Sequence, residues 1–193
     1  MKYKNASFPP LGAWDNRLTD IACQSLVPVV TVNENPWFTL RNRGGYFTTE
    51  YQFPQVAVLV VINCDSIAMV RVKRPVIDDV TLELPAGGLE KDEDPVNGAA
   101  RELAEEAGIR ISDLSRFVPM PPIATSSTRV PNLSYVFRID ISEQEYDRRV
   151  SHDHEIYSVE RLQLSDLPDM MNTGQIYVSL SMAVIGTYLL TRQ

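Results

Sequence analysis

The chain has 193 residues, with 25 Asp+Glu against 18 Lys+Arg and a formal net charge of −7. A chain of that length supports one domain with room for an appendage, and buries roughly 70% of its unfolded surface without covalent staples. The acidic balance, with a pI near 4.9, excludes a broad nucleic-acid surface, which needs clustered Lys and Arg, and the two cysteines, Cys23 and Cys64, exclude a disulfide framework and a four-cysteine zinc site.

Residues 1–16 lack the apolar stretch of a signal peptide. Residues 1–52 mix Pro9, Pro10, Pro28, Pro36, Gly44 and Gly45 with short apolar runs. They read as a small N-terminal β region, with strands over 26–32, 37–40 and 46–53. Residues 56–62, VAVLVVI, form a β-branched run suited to a buried central strand. A turn at 63–66 and a strand over 67–72 make a hairpin with it. A short strand over 81–84 stops at Pro85, a helix occupies 95–108, and further strands fall over 116–120, 133–141 and 156–164. Ser165 starts a helical turn, Gly174 breaks it, and a C-terminal helix over 176–190 has a wide apolar surface. Ser179, Ser181, Gly186 and Thr187 interrupt that helix, which falls short of the roughly 20 apolar residues a bilayer demands. A cytoplasmic protein without membrane contact is expected. The order predicts an α/β layered domain with a mixed β-sheet over 53–193, preceded by the small β region over 1–52.

The helix over 95–108, PVNGAARELAEEAG, has Asp94 placed as N-cap, Pro95 at the first helical position and Gly108 at the left-handed C-terminal position. Val96, Ala99, Ala100, Leu103 and Ala107 form its apolar face. Glu102, Glu105 and Glu106 stand at i, i+3 and i+4, a spacing at which like charges destabilise a helix. They lie toward its negative end, so the dipole does not relieve them. Arg101 alone cannot neutralise three carboxylates, whereas a hard divalent cation such as Mg²⁺ can. The plain alternative is a solvated acidic face. Ahead of the helix, Glu83-Leu84-Pro85-Ala86-Gly87-Gly88-Leu89 is a strand end running into glycines, which permits close approach of backbone to a ligand.

From Gly87 the spacing runs to Glu93, Arg101, Glu102, Leu103, Glu105, Glu106, Gly108 and Ile109. This run resembles the Nudix box, G-x5-E-x7-R-E-U-x-E-E-x-G-U with U aliphatic, at every position. The chain is therefore identified as resembling the Nudix hydrolases. Val70-Arg71-Val72-Lys73-Arg74-Pro75, then Glu83-Leu84-Pro85-Ala86-Gly87, resembles the ADP-ribose pyrophosphatase branch, with Val72 standing where that branch has Gln. Asn35-Pro36-Trp37-Phe38 is similar to that branch too, and Thr128-Arg129-Val130-Pro131-Asn132 resembles a G-R-x-x-N segment with Thr for Gly.

The resemblance implies an α/β/α sandwich with a mixed β-sheet. It implies Mg²⁺-dependent hydrolysis, with Mn²⁺ as a substitute, of a nucleoside diphosphate linked to another group. ADP-ribose or an ADP-sugar, giving AMP and a sugar phosphate, is the leading substrate. Another nucleotide-sugar, a dinucleotide or an oxidised nucleotide is the alternative, and a non-catalytic ADP-ribose-binding module is a third. Carried over by position, Glu102 and Glu106 hold the metal, Glu105 shares it or serves as base, and the Ala86 carbonyl adds a ligand. Arg101 orients a glutamate, and Glu93 links loop and helix. Glu155 is the base candidate ahead of Asp153, with His152 and His154 nearby in sequence. Arg71, Arg74 and Arg129 are expected to meet the substrate, since Arg grips phosphate bidentately. Trp37, Phe38 and Tyr46 are candidates to stack on adenine. Relatives of this branch also imply a homodimer formed through the N-terminal region.

Overall fold

The structure is a computed structural model and describes residues 22–192. The expected absence of a leader concerns residues 1–16 and lies outside the described residues. The N-terminal strands are β1 (Val29–Glu34), β2 (Phe38–Arg43) and β3 (Tyr46–Tyr51), paired antiparallel in the order β1-β2-β3. Gly44 and Gly45 both have positive φ, +59° and +97°. That is what a two-residue hairpin turn between Arg43 and Tyr46 requires. One face of this sheet buries a polar cluster: Glu50 accepts from Arg43 Nη2 at 3.0 Å and from Thr48 Oγ1 at 2.7 Å. The opposite side and edge leave Val29, Val30, Val32, Trp37 and Phe47 in water.

The main sheet comprises β4 (Gln55–Ile62), β5 (Ser66–Arg74), β6 (Asp79–Glu83), β7 (Ala86–Gly88), β8 (Val118–Ile123), β9 (Ser134–Ile141) and β10 (Ile156–Gln163). Its order is β10-β5-β4-β9-β8, with β6 on β5 and β7 on β4. The β4–β9 pair is parallel and the other pairs antiparallel, so the mixed sheet expected from sequence is present. The predicted central strand is β4. Val56, Val58, Val60 and Ile62 face one core, while Leu59 and Val61 face another. Both faces are dry, which is why its sequence shows no polar alternation.

The helices are α1 (Pro95–Ala107), α2 (Glu143–Asp147), α3 (Leu167–Asn172) and α4 (Ser179–Thr191). Ala99, Leu103 and Ala107 of α1 and Tyr146 of α2 cover the first face; Leu167 of α3 and Val184, Ile185 and Tyr188 of α4 cover the second. The result is an α/β/α sandwich. As the sequence predicts, Asp94 caps α1 by accepting from the Val96 amide at 3.0 Å, and Gly108 ends it at φ +68°. A Cβ at Gly108 would overlap the Val150 carbonyl. Among the described residues no helix is long and apolar enough to cross a membrane.

The two sheets are joined by few bonds. The Thr49 amide donates to the Arg129 carbonyl at 2.8 Å. Asn132 accepts from the Tyr51 amide at 3.1 Å and donates to the Tyr51 carbonyl at 3.3 Å.

Candidate active site

Short β7 lays residues 86–88 beside α1 by pairing Val56 with Gly87 and Ala57 with Ala86. The bare Cα of Gly87 admits the Glu102 carboxylate against the backbone; a Cβ there would overlap that carboxylate. One turn on, the Ala86 amide donates to Glu106 Oε2 at 2.8 Å. Glu102 and Glu106 therefore share the helix face turned to this loop, while Glu105 is 45% exposed.

Arg101 joins these parts. Its Nε and Nη2 each donate to Glu93 at 2.9 Å. Nη2 also reaches the Gly88 carbonyl at 2.8 Å. Nη1 reaches Glu102 at 2.7 Å and Glu105 at 3.0 Å. The segment after α2 is tied to the same helix, because the Val150 amide donates to the Gly108 carbonyl at 2.9 Å and the Asp153 amide to the Glu105 carbonyl at 2.8 Å. Those two bonds bring Asp153 and Glu155 to the helix.

The product is a cavity of about 270 Å³ lined by Ala86, Glu102, Glu105, Glu106, Asp153 and Glu155, with Arg74 at its edge. It is acidic and partly dry. Burial pushes the Glu106 carboxyl up to about 8, against the Ala86 amide, which favours the charged form. Burial also raises Glu102, with Arg101 opposing.

Arg74 and Glu83 lie on the α1 side of the sheet. Arg74 donates through Nε at 2.7 Å and Nη2 at 2.9 Å to Glu83, and Thr81 Oγ1 donates to the same carboxylate at 2.5 Å. Burial raises Glu83, but the bonds from Arg74 and Thr81 outweigh it and hold the carboxyl below its ordinary value. One edge of the guanidinium is thereby committed to Glu83. Arg74 and Glu155 also border a second cavity of about 850 Å³, lined in addition by Gln55, Lys73 and His154. The two cavities are therefore neighbours.

The donor set of the small cavity is all oxygen, which suits a hard divalent cation. Among the described residues no three Asp, Glu, His or Cys side chains already converge on one ion position. Arg101 Nη1 bonds both Glu102 and Glu105, and Glu106 is turned to the Ala86 amide. The carboxylates present fit a hard divalent ion by their chemistry.

Of the residues singled out from sequence, the structure gathers Ala86, Arg101, Glu102, Glu105, Glu106, Arg74 and Glu155 here. It does not gather three others. Arg71 is bonded to Glu160. By strand alternation with Met69 and Leu162, that pair lies on the α4 face of the sheet. Arg129 donates to the Phe47 carbonyl at 3.1 Å and so braces β3. Trp37 sits on the N-terminal sheet, 73% exposed, away from both cavities. Of the histidines, His154 lines the larger cavity, while His152 Nδ1 lies 3.0 Å from the Asp153 carbonyl. Glu83 received no role from sequence. The available signal was its position across a hairpin from Arg74, in register with Val70.

A NUDIX domain model matches residues 53–180. The chain belongs to the Nudix family. This Nudix chain is 30% identical over 122 residues to an ADP-ribose pyrophosphatase of Bacillus subtilis (strain 168), covering 63% of the chain and 64% of that protein. It is also 47% identical over 53 residues to a methanol dehydrogenase activator of Bacillus methanolicus, covering 28% of the chain and 29% of that protein. The matched region thus spans less than two thirds of either relative.

Proposed function

We propose that this chain is a hydrolase that cleaves the pyrophosphate bond of a nucleoside diphosphate linked to another group. The preferred substrate is ADP-ribose or an ADP-sugar, giving AMP and a sugar phosphate. Mg²⁺ is the ion, with Mn²⁺ as a substitute. The observation that carries this reading is the acidic cavity on α1, which shares Arg74 and Glu155 with a neighbouring cavity about three times larger. The similarity to an ADP-ribose pyrophosphatase supports the substrate.

In this reading Glu102, Glu105, Glu106 and the Ala86 carbonyl hold the divalent ion, which when bound neutralises phosphate oxygens and lowers the pKa of a bound water. The Ala86 amide orients Glu106 and Arg101 orients Glu102. Glu155, ahead of Asp153, accepts the proton of the attacking water. The new phosphorus–oxygen bond forms as the bridging oxygen departs with the other phosphate. Arg74 Nη1 meets a non-bridging oxygen, and Glu83 keeps the guanidinium aimed. Residues 53–193 are the hydrolase domain. Residues 1–52 are a dimerisation arm whose exposed apolar face, with Trp37, meets a second copy.

The test is a metal-supplemented screen of nucleoside diphosphate derivatives with product identification. AMP from ADP-ribose, lost with EDTA and lost in Glu106→Gln while circular dichroism is unchanged, is expected. Full activity in Glu106→Gln, or hydrolysis indifferent to EDTA, would falsify the reading.

A further inference from the structure

Ser181 reads in the sequence only as an interruption of an apolar helix. In the fold it is 2% exposed. Its helix, α4, packs Val184 and Ile185 into the layer that holds Leu82 and Leu84. A buried hydroxyl in an apolar layer calls for a hydrogen-bond partner. The partner is the Leu84 amide, 97 residues away in sequence, which donates to Ser181 Oγ at 3.0 Å.

The strands around Leu84 explain why its amide needs a side chain. β6 runs along β5, whereas β7 runs along β4. Leu84 and Pro85 are the corner at which the chain changes partner. Pro85 has no amide to give, and its carbonyl accepts from the Val58 amide at 2.9 Å. Leu84 is buried, and a buried amide without an acceptor is costly. Ser181 closes the corner from α4, as Val58 closes it from β4. The far end of β6 is tied to the approach to the same helix, since Tyr177 Oη donates to Asp79 Oδ2 at 2.6 Å.

Resting on the hydrolase reading, we propose that Ser181 is a positioning residue for the carboxylate cavity, acting from the opposite face of the sheet. The corner it holds has a site group on each side. Glu83, one residue before Leu84, receives both bonds from Arg74. Ala86, two residues after, donates its amide to Glu106 Oε2 at 2.8 Å. Three successive backbone groups are thus committed to three elements: the Leu84 amide to α4, the Pro85 carbonyl to β4 and the Ala86 amide to α1. Such a corner is fixed in direction only while all three bonds are made. Without the Ser181 hydroxyl the Leu84 peptide must turn to find another acceptor, and the Ala86 peptide turns with it, away from Glu106. Ser181 touches neither substrate nor ion; it acts through the backbone between them and α4.

The test compares Ser181→Ala, Ser181→Thr and Val184→Ala in the full chain. Val184 is on the same helix and 1% exposed, but its side chain makes no hydrogen bond. Amide hydrogen exchange at Ala86 is read in the metal-free chain, and Mn²⁺ affinity by calorimetric titration. Losing a group that orients a metal-holding side chain costs about 10- to 100-fold in metal affinity. Ser181→Ala is expected at the lower end, about tenfold, with faster exchange at Ala86. Ser181→Thr keeps the hydroxyl and should stay within about twofold of the native affinity. Val184→Ala should do the same, although the space it opens lowers the melting temperature. Three results each overturn the assignment: native Mn²⁺ affinity and Ala86 exchange in Ser181→Ala, an equal loss in Val184→Ala, or a folded Ser181→Thr as weak as Ser181→Ala. None of these readouts uses a substrate, so the positioning role fails separately from the activity. A chain that holds Mn²⁺ through Ser181 yet cleaves no nucleoside diphosphate derivative would sink the activity and keep the positioning role.

Discussion

Replacing Gly87 by alanine adds one methyl group, yet that methyl would overlap the Glu102 carboxylate. Glu102 is 7% exposed and its carboxylate is anchored on Arg101 at 2.7 Å, so it has little room. What must move is the far end of a side chain rather than backbone. The cost to stability is bounded by that charge-assisted bond, about 1.5–3 kcal/mol. At about 2–4 °C per kcal/mol for a chain of this size, the melting temperature should fall by roughly 3–12 °C. The effect on the ion is separate. Disturbing the groups that orient a ligand typically costs about 10- to 100-fold in metal affinity. Gly88→Ala is the internal control, because a Cβ there meets nothing within 4 Å. Its backbone φ is not in the left-handed range, so it should be neutral or stabilise by up to about 1 kcal/mol through the unfolded chain. Calorimetric titration with Mn²⁺ beside thermal unfolding reads both effects. Native metal affinity in Gly87→Ala, or an equal loss in Gly88→Ala, would refute the placement of Glu102 as a metal-holding group beside a bare backbone.

Glu106 predicts a pH dependence. Its folded pKa of about 8 lies above its ordinary value of 4.5, because of burial. The stability tied to its proton is thus complete below about 4.5 and lost as pH rises through about 8. The metal-free chain should melt lower at pH 8.5 than at pH 6, Glu106→Gln should flatten that slope, and saturating Mg²⁺ should reverse it; an identical slope in the variant refutes this. Glu83→Gln keeps the shape but not the charge that holds Arg74. The KM for ADP-ribose should rise about 5- to 10-fold, as loss of about 1 kcal/mol or more at a charged hydrogen bond would give; an unchanged KM would show that Arg74 needs no anchor. Asn132→Ala removes both bonds to Tyr51 and should cost about 1–2 kcal/mol, with faster hydrogen exchange at the Tyr51 amide. Unchanged exchange there would mean the N-terminal sheet is held by other contacts.

Much of α1 was readable because its determinants are local. Asp94, Pro95 and Gly108 act within a few residues, and the carboxylates follow helical spacing. The central strand was readable because seven apolar residues in a row have one economical place in a sheet. β7 was not, since three residues containing two glycines carry no strand propensity and exist only by pairing with β4. α2 is five residues long, marked only by the Ser142 and Glu145 capping box. β1 begins at Val29 rather than 26, with its limit set by partner register on β2. The arginines were the hardest to read. Arg74, Arg71 and Arg129 carry the same side chain, and partners 9, 89 and 82 residues away separate them into a cavity edge, a buttress on the other face and a brace.

The two backbone bonds from Val150 and Asp153 onto the last turn of α1 bear on how the site can vary. They gear the Glu155 segment to the helix itself, so the spacing between Glu155 and the carboxylates of α1 is set through backbone bonds. Fraying of that helical turn would release both halves together. The exchange rates of the Val150 and Asp153 amides are therefore a gauge of the assembled centre that needs no substrate.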